Sequence, residues 1–397
     1  MNRWPTPILG ARSSAAALLL VLSVVALLQT YGQMRRSHGN DLTVYLAASD
    51  ALVHGGDPYA VDLSQGFSRY PLTLAVLLIP LTWVPAWAAQ TIWFVANVAA
   101  LIGSLWILDG LWRAADTGPR EASPAPFMIR LAVVVLALAL PLRSSLVLGQ
   151  VNLVILLSCC LFVRAHLTRK WLPASLWLGL AVALKVTPLV FLVGLVRERR
   201  YRALLATGGF VALWAVFLPR MVSDRVWELY RTGWAPFITE SLQKPVSFDR
   251  PSRFTLAAAL VHLWPALARV PGLRWWAAIA VFAPVVWLHS RARRDARVPL
   301  VAFALYLLSM PLISPVSEQH HLVVLVAPLW CWMLIASNER PLRRFDVVGG
   351  TLFLSLHWLA ARRFYFLDFL ALAVLYVALL LRAVRLDTNA RHRLAPE

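Results

Sequence analysis

Three polar groups stand out in a chain otherwise built of apolar segments: Asp41, Lys185, and the turn Ser314-Pro315-Val316-Ser317-Glu318-Gln319-His320-His321. Asp41 follows the first apolar segment closely, and a carboxylate beside a membrane cavity can accept a proton from a hydroxyl. The plainer reading of the same residues is a helix cap, with Asn40 or Asp41 serving the run Leu42–Leu52. Lys185 sits inside an apolar stretch. An ionisable group there is costly and marks a functional site by default, with a phosphate or Asp41 as its partner. The alternative is a lysine that snorkels to the interface. Glu318, His320 and His321 are suited to holding a phosphate or orienting a base. Two adjacent histidines and one glutamate, without H-E-x-x-H spacing, are a poor zinc set. Gln150 and Asn152 open an apolar segment in Gly149-Gln150-Val151-Asn152, where they either bond between helices or face a ligand. Asp57-Pro58 reads as a turn and His54 as a surface residue. In the charged loop 220–254, Arg250 and Arg253 either hold an anionic headgroup or anchor an interface.

The elements that must position these groups follow from composition. Of 397 residues, 60% are hydrophobic and only 14% charged, with mean hydropathy +0.67. Soluble domains carry roughly 45–50% apolar and about 25% charged residues. A soluble enzyme, a disordered chain and a fibrous protein are thereby excluded. What remains is an all-α polytopic membrane protein of one domain over 1–397, with about twelve spanning helices at roughly 20 residues each. The expected crossings are 14–32, 87–111, 127–142, 148–164, 171–184, 187–197, 203–219, 273–290, 298–313, 320–337, 346–360 and 364–382. Pro71–Val84 and Phe254–Leu267 are read as re-entrant or interfacial pieces, being too short to cross or amphipathic.

The net charge of +19 comes mostly from Arg in short loops, the pattern of membrane orientation. It forms no basic stripe on a soluble module, so nucleic acid is not an expected partner. The clusters Arg164/Arg169/Lys170, Arg197/Arg199/Arg200/Arg202, Arg291/Arg293/Arg294/Arg297 and Arg340/Arg343/Arg344 go to the cytoplasm, with the basic tail 383–397 and both termini. Trp171–Val196 must then be a hairpin, broken near Lys185 by Pro188, with Lys185 in a cavity. The first outer loop is 33–70 and the second 220–270. The turns 143–147 and 314–319 join them on the outer side, with Arg362 and Arg363 breaking the charge trend there. Cys159, Cys160 and Cys331 lie in apolar segments and read as reduced filler. The first apolar run has no A-x-A-like site near its end and reads as a retained helix. No internal repeat of fixed period is present.

Taken in order, Asp41-Leu42-Thr43-Val44-Tyr45, Gly56-Asp57-Pro58-Tyr59, Tyr70-Pro71-Leu72, Gly149-Gln150-Val151-Asn152, Leu184-Lys185-Val186-Thr187-Pro188, and Ser314-Pro315-Val316-Ser317 before Gln319-His320-His321 resemble glycosyltransferase family 87. The likeness runs from Asp41 to His321. It implies a GT-C type membrane fold in the plasma membrane. It also implies an inverting transferase that moves a hexose, mannose above all, from a polyprenyl-phosphate donor on the outer face. The resemblance makes Asp41 the base, Lys185 the lysine of K-V-T-P, and His320 or His321 the family histidine. Lys185, His320, His321, Arg362 and Arg363 are then expected at the donor phosphate. Tyr45, Tyr59, Arg69, Gln150, Asn152, Glu318, Gln319 and Arg250 are expected at the substrates. Inversion needs one base rather than a carboxylate pair. Asn40 precedes Asp41, so there is no D-x-D, and no metal or other cofactor is expected. The acceptor implied is a glycolipid or cell-envelope glycan such as a phosphatidylinositol mannoside or lipomannan. The chain departs from the family at Ser317-Glu318-Gln319, where an aromatic residue is usual, and at Gln243-Lys244-Pro245-Val246-Ser247. A polyprenyl-phosphate-arabinofuranose donor is the alternative within the class. A lipid flippase or transporter is the alternative outside it and would predict inverted repeats.

Overall fold

The computed structural model describes residues 8–37, 40–60, 67, 70–115, 125–247, 254–291, 295–315, 317–338, 344–360 and 366–394. Among them the chain is helical throughout, with no strand. The long elements are α1 (Ile8–Arg36), α4 (Ala86–Ala115), α5 (Ala125–Ala137), α6 (Ala139–Leu148), α7 (Asn152–Leu167), α8 (Trp171–Leu184), α9 (Val190–Arg197) and α10 (Tyr201–Ala212). After a π-helical turn and α11 (Leu218–Arg220) come α15 (Leu273–Arg291), α16 (Val298–Ile313), α17 (Val326–Asn338), α18 (Arg344–Ala360) and α19 (Phe366–Leu394). Shorter helices lie between them: α2 (Asp41–Val53), α3 (Leu72–Thr82), α12 (Val226–Leu229), α13 (Ala235–Gln243) and α14 (Leu256–Leu263).

Side-chain contacts give the directions of the helices around the site. Trp93 of α4 donates to the Gly149 carbonyl before α7, and Gly103 approaches Leu157, so α4 and α7 run parallel. Lys185, past the end of α8, bonds Asn152 at the start of α7, while Glu198, past the end of α9, bonds His166 in the last turn of α7. Trp171–Arg197 is therefore a hairpin, as the sequence predicts. Its break has a simple cause: Pro188 has no N–H for the Leu184 carbonyl and its ring clashes there. Lys185 leaves the helix in extended backbone, φ −159° and ψ 136°. Ser175 Oγ on the Ala203 carbonyl and Phe210 against Gly179 make α8 and α10 parallel. Followed in this way, the described chain passes along the bundle twelve times, in α1, α4, α5–α6, α7, α8, α9, α10–α11, α15, α16, α17, α18 and α19.

Five of these passes are long and apolar enough to cross a membrane alone, and the α5–α6 pair would make a sixth. Six further apolar helices are only 10–17 residues long. The protein is a multi-pass membrane protein; of its shorter passes, α7 and α16 are largely buried in the bundle, whereas α18 exposes Val348, Leu352, Trp358 and Leu359. The segment 127–142 departs from the single straight crossing expected. It bends by 74° between Ala137 and Ala139, and the turn expected at 143–147 is the interior of α6. Pro141 explains both, because it denies the Ala137 carbonyl its hydrogen bond.

The two ends of the bundle differ. One carries Arg169/Lys170, Arg197/Arg199/Arg200 and Arg297. The other carries α2, α3, α12–α14 and exposed Trp227, Trp264, Trp275 and Trp276, the ring chemistry of a membrane interface. Lys185 lies at this second end.

Candidate active site

The site is built around the turn that joins α6 to α7. Gly149 ends α6 at φ +68°, a conformation glycine takes without penalty. Gly149 N–H bonds the Leu146 carbonyl and Gln150 N–H bonds the Ser145 carbonyl at 2.9 Å, closing the helix in a Schellman motif. Absence of a side chain serves a second purpose. A Cβ on Gly149 would stand 2.7 Å from Leu42 Cβ and 3.5 Å from the Leu42 nitrogen. The start of α2, and with it Asp41, is thus seated directly on this turn.

Asn40, not Asp41, caps α2. Its Oδ1 accepts from Thr43 N–H at 3.0 Å and from Thr43 Oγ1 at 2.9 Å. Asp41 is the first helical residue and is partly exposed, so the capping role does not consume its carboxylate.

Gln150 is buried and its Oε1 gathers three donors: Tyr70 Oη at 3.0 Å, Tyr45 Oη at 3.3 Å and Asn152 Nδ2 at 3.4 Å. Asn152 Nδ2 also donates to the His320 carbonyl at 3.3 Å. Its amide is thereby oriented with Oδ1 outward, where Lys185 Nζ donates to it at 3.1 Å. Nζ also lies 5.8 Å from the Tyr70 ring centroid, a cation–π distance. Tyr45 and Tyr70 meet edge to face at 5.0 Å. One connected polar path therefore runs from α2 through the α6–α7 turn to the hairpin lysine.

The 313–321 turn contributes in two ways. Glu318 and His321 form a capping box at the 3₁₀ turn Gln319–Leu325, with Glu318 N–H donating to His321 Nδ1 at 2.9 Å. That bond leaves the neutral ring's proton on Nε2. His320 is buried, packs edge to face on His321 at 4.3 Å, and is tied to Asn152 through its carbonyl. Its Nδ1 is 3.9 Å from Glu318 Oε2.

A second tier of outer segments braces this core. Tyr59 Oη donates to the Tyr70 carbonyl at 3.2 Å, and its ring fills the space over Gly233. Tyr230 Oη accepts from Leu72 N–H at 3.2 Å and donates to the Ala215 carbonyl at 2.6 Å. Burial pushes both phenols above their ordinary pKa, with Asp57 adding to the effect at Tyr59. Both stay neutral donors.

Of the residues singled out from sequence, the structure assembles Tyr45, Gln150, Asn152, Lys185 and His320, with Asp41 on the adjoining helix start. Glu318 and His321 are engaged in the capping box. Tyr59 touches the site through the Tyr70 backbone, and Gln319 begins the 3₁₀ turn. Arg69, Arg250, Arg362 and Arg363 lie outside the described residues. Tyr70 was not singled out for the site, although Tyr70-Pro71 before an apolar helix places it at a helix mouth, as with Gln150. Among the described residues no group of three His, Cys, Asp or Glu side chains is arranged to hold a metal.

The opposite end holds a cluster that sequence reasoning missed. Glu198 Oε1 pairs with His289 Nε2 at 2.7 Å, and Oε2 with His166 Nε2 at 3.0 Å and Arg200 Nε at 3.3 Å. Burial alone would raise the Glu198 pKa, but the bonds to His166 and His289 outweigh it and hold the carboxyl well below its usual range.

The glycosyltransferase family 87 model matches residues 67–315. One similar protein is the polyprenol-phosphate-mannose-dependent alpha-(1-2)-phosphatidylinositol pentamannoside mannosyltransferase of Mycobacterium tuberculosis (strain CDC 1551 / Oshkosh). It is 32% identical over 348 residues, covering 82% of this chain and 74% of its own. The polyprenol-phosphate-mannose-dependent alpha-(1-2)-phosphatidylinositol mannoside mannosyltransferase of M. tuberculosis (strain ATCC 25618 / H37Rv) is 28% identical over 369 residues, covering 85% and 79%. The crystal structure of ArnT from Cupriavidus metallidurans bound to undecaprenyl phosphate aligns over 95% of this chain and 78% of that one. At 14% identity and a TM-score of 0.41 it is too distant to carry an argument.

Proposed function

The chain belongs to glycosyltransferase family 87, and on that premise we propose that it moves mannose from a polyprenyl-phosphate donor to a lipid-linked glycan, with inversion at the anomeric carbon. The observation that carries this reading is the polar path Tyr45–Gln150–Asn152–Lys185 beside the start of α2. It sets a cation and a carboxylate at one end of a membrane bundle.

Asp41 takes the proton of the acceptor hydroxyl as its oxygen attacks the anomeric carbon. The bond from that carbon to the phosphate oxygen breaks, and the polyprenyl phosphate leaves as an anion. Lys185 meets the developing charge on the phosphate, held in place by Asn152 and Tyr70. The donor brings its own activated leaving group, so the step needs no general acid and no metal. The side of the membrane follows from charge. The short-loop clusters Arg169/Lys170 and Arg197/Arg199/Arg200 lie away from Lys185, while Arg220 and Arg225 at the Lys185 end are paired with Asp224 and Glu228 in a longer segment, which supports a site on the outer face. The relatives' names support a phosphatidylinositol mannoside as the acceptor.

The test is transfer from radiolabelled polyprenyl-phosphate mannose by the purified protein in nanodiscs, given phosphatidylinositol mannosides and EDTA. Labelled glycolipid from wild type and none from Asp41→Asn is the expected result. Wild-type transfer from the arabinofuranose donor instead would reassign the sugar. Loss of transfer on adding EDTA would overturn the metal-free step.

A further inference from the structure

A groove of about 650 Å³ runs along the outward side of α15. Its wall is one helical stripe, with Trp275, Phe282 and Trp287 as ridges and Ala278 and Ala283 as the gaps between them. From Trp275 to Ser290 the stripe is about 22 Å long at 1.5 Å per residue. The groove shares no residue with the polar path of the active site. Trp275 marks the Lys185 end of the bundle, and Ser290 the opposite, basic end.

That basic end carries the charge. Arg197, the last residue of α9, lines the groove there and is exposed. It makes no hydrogen bond or ion pair with another described residue, whereas nearby Arg200 and Arg297 are each paired with a carboxylate. An apolar slot ending in a guanidinium with no partner among the described residues suits a lipid whose phosphate lies in the headgroup layer. We propose that this groove binds an anionic diacyl phospholipid from the leaflet at the basic end, with its phosphate on Arg197 and an acyl chain along the α15 stripe. The lipid is distinct from the donor, whose phosphate belongs at the other end of the bundle. Its effect is mechanical. Gly194 of α9 and Glu198 just past its end both meet His289 of α15. A lipid spanning Arg197 and Trp287 adds a second tie to the arm that carries Lys185.

Native mass spectrometry of the whole protein, released from detergent with matched dioleoyl lipids, tests this. Wild type should retain dioleoyl-phosphatidylglycerol over dioleoyl-phosphatidylcholine by about fivefold, as expected for one Arg near a lipid phosphate. Arg197→Gln should abolish that preference. Ala283→Phe, which fills the slot, should lower retention of both lipids. Equal retention of the two lipids by wild type would overturn the proposal, as would a preference that survives Arg197→Gln. Polyprenyl phosphate displacing phosphatidylglycerol from wild type but not from Arg197→Gln would also overturn it, assigning the groove to the donor lipid. Both variants lie on the bundle surface, and a thermal melt of each serves as the folding control.

Discussion

Lys185 and Asn152 are 33 residues apart in sequence, yet Nζ of one donates to Oδ1 of the other at 3.1 Å. The bond exists because Asn152 is held on its other side by Gln150 and the His320 carbonyl. Lys185 Nζ is thereby held at a fixed point rather than left free to snorkel.

Removing that acceptor should cost transition-state binding. Asn152→Leu is expected to lower kcat/KM for the donor roughly ten- to hundredfold, the worth of a hydrogen bond to a charged group. Asn152→Asp should raise the donor KM further, because its carboxylate competes with the phosphate for Lys185. Steady-state kinetics with varied donor checks both. Unchanged kcat/KM in the two variants would separate Lys185 from the phosphate.

Asn40 and Asp41 are neighbours with different duties, and substitutions should part them. Asn40→Ala removes the α2 cap and should lower stability by about 1 kcal/mol while sparing kcat. Asp41→Asn should leave the melting temperature in place and lower kcat about 10²- to 10⁴-fold. Thermal melts run beside transfer assays read out the contrast.

Gly149 allows α2 to sit on the α6–α7 turn. Gly149→Ala adds left-handed strain and a Cβ 2.7 Å from Leu42 Cβ, so it should destabilise by about 1–3 kcal/mol and displace Asp41. Gly208 is the control. A Cβ there meets nothing within 4 Å, and Gly208→Ala in α10 should be neutral or mildly stabilising. Melting temperature and transfer rate should both fall for the first substitution and neither for the second.

Glu198 predicts an acid limb of stability. Its folded-state pKa lies below the unfolded value because His166 and His289 bond the carboxylate. Its contribution is therefore complete above the unfolded carboxylate pKa of about 4.3 and is lost as pH falls further toward the folded value. Melting curves should show wild type losing stability below that pH more steeply than Glu198→Gln. Parallel slopes would assign acid unfolding to other groups.

Asp346 and Arg382 form a buried pair between α18 and α19, with Arg382 Nε on Asp346 Oδ1 at 2.9 Å and Trp332 Nε1 on the same oxygen at 3.3 Å. Arg382→Met leaves a buried carboxylate unpaired and should cost about 3–5 kcal/mol. The double variant Asp346→Leu/Arg382→Met should recover most of that loss. A melt series over wild type, both single variants and the double variant gives the coupling directly.

What the sequence discloses is set by how local the cause is. The helix breaks at Lys185 and after Arg36, and the short α3 and α14, follow from prolines, polar residues and run lengths that lie next to the effect. The α5–α6 bend was hidden because Pro141 sits in an unbroken apolar run, and apolarity does not report direction. Lys185 was legible through its cost in a membrane. Tyr70 was not, since its value comes from Gln150, 80 residues away, and from the Lys185 cation above its ring. The Glu198 cluster joins the ends of α7, α9 and α15, and no spacing announces that three helices finish at one point.

The α8–α9 hairpin has a consequence for the surrounding lipid. Its arms, Trp171–Leu184 and Thr187–Arg197, reach about 21 Å and about 16 Å at 1.5 Å per residue, against a hydrocarbon thickness of roughly 30 Å. The mismatch is met by a thinned bilayer or by water standing over Lys185. A charged sugar phosphate then reaches Lys185 without crossing the full apolar slab. Turnover should accordingly depend on acyl-chain length in the host membrane, falling as thicker lipids close the dimple above the turn.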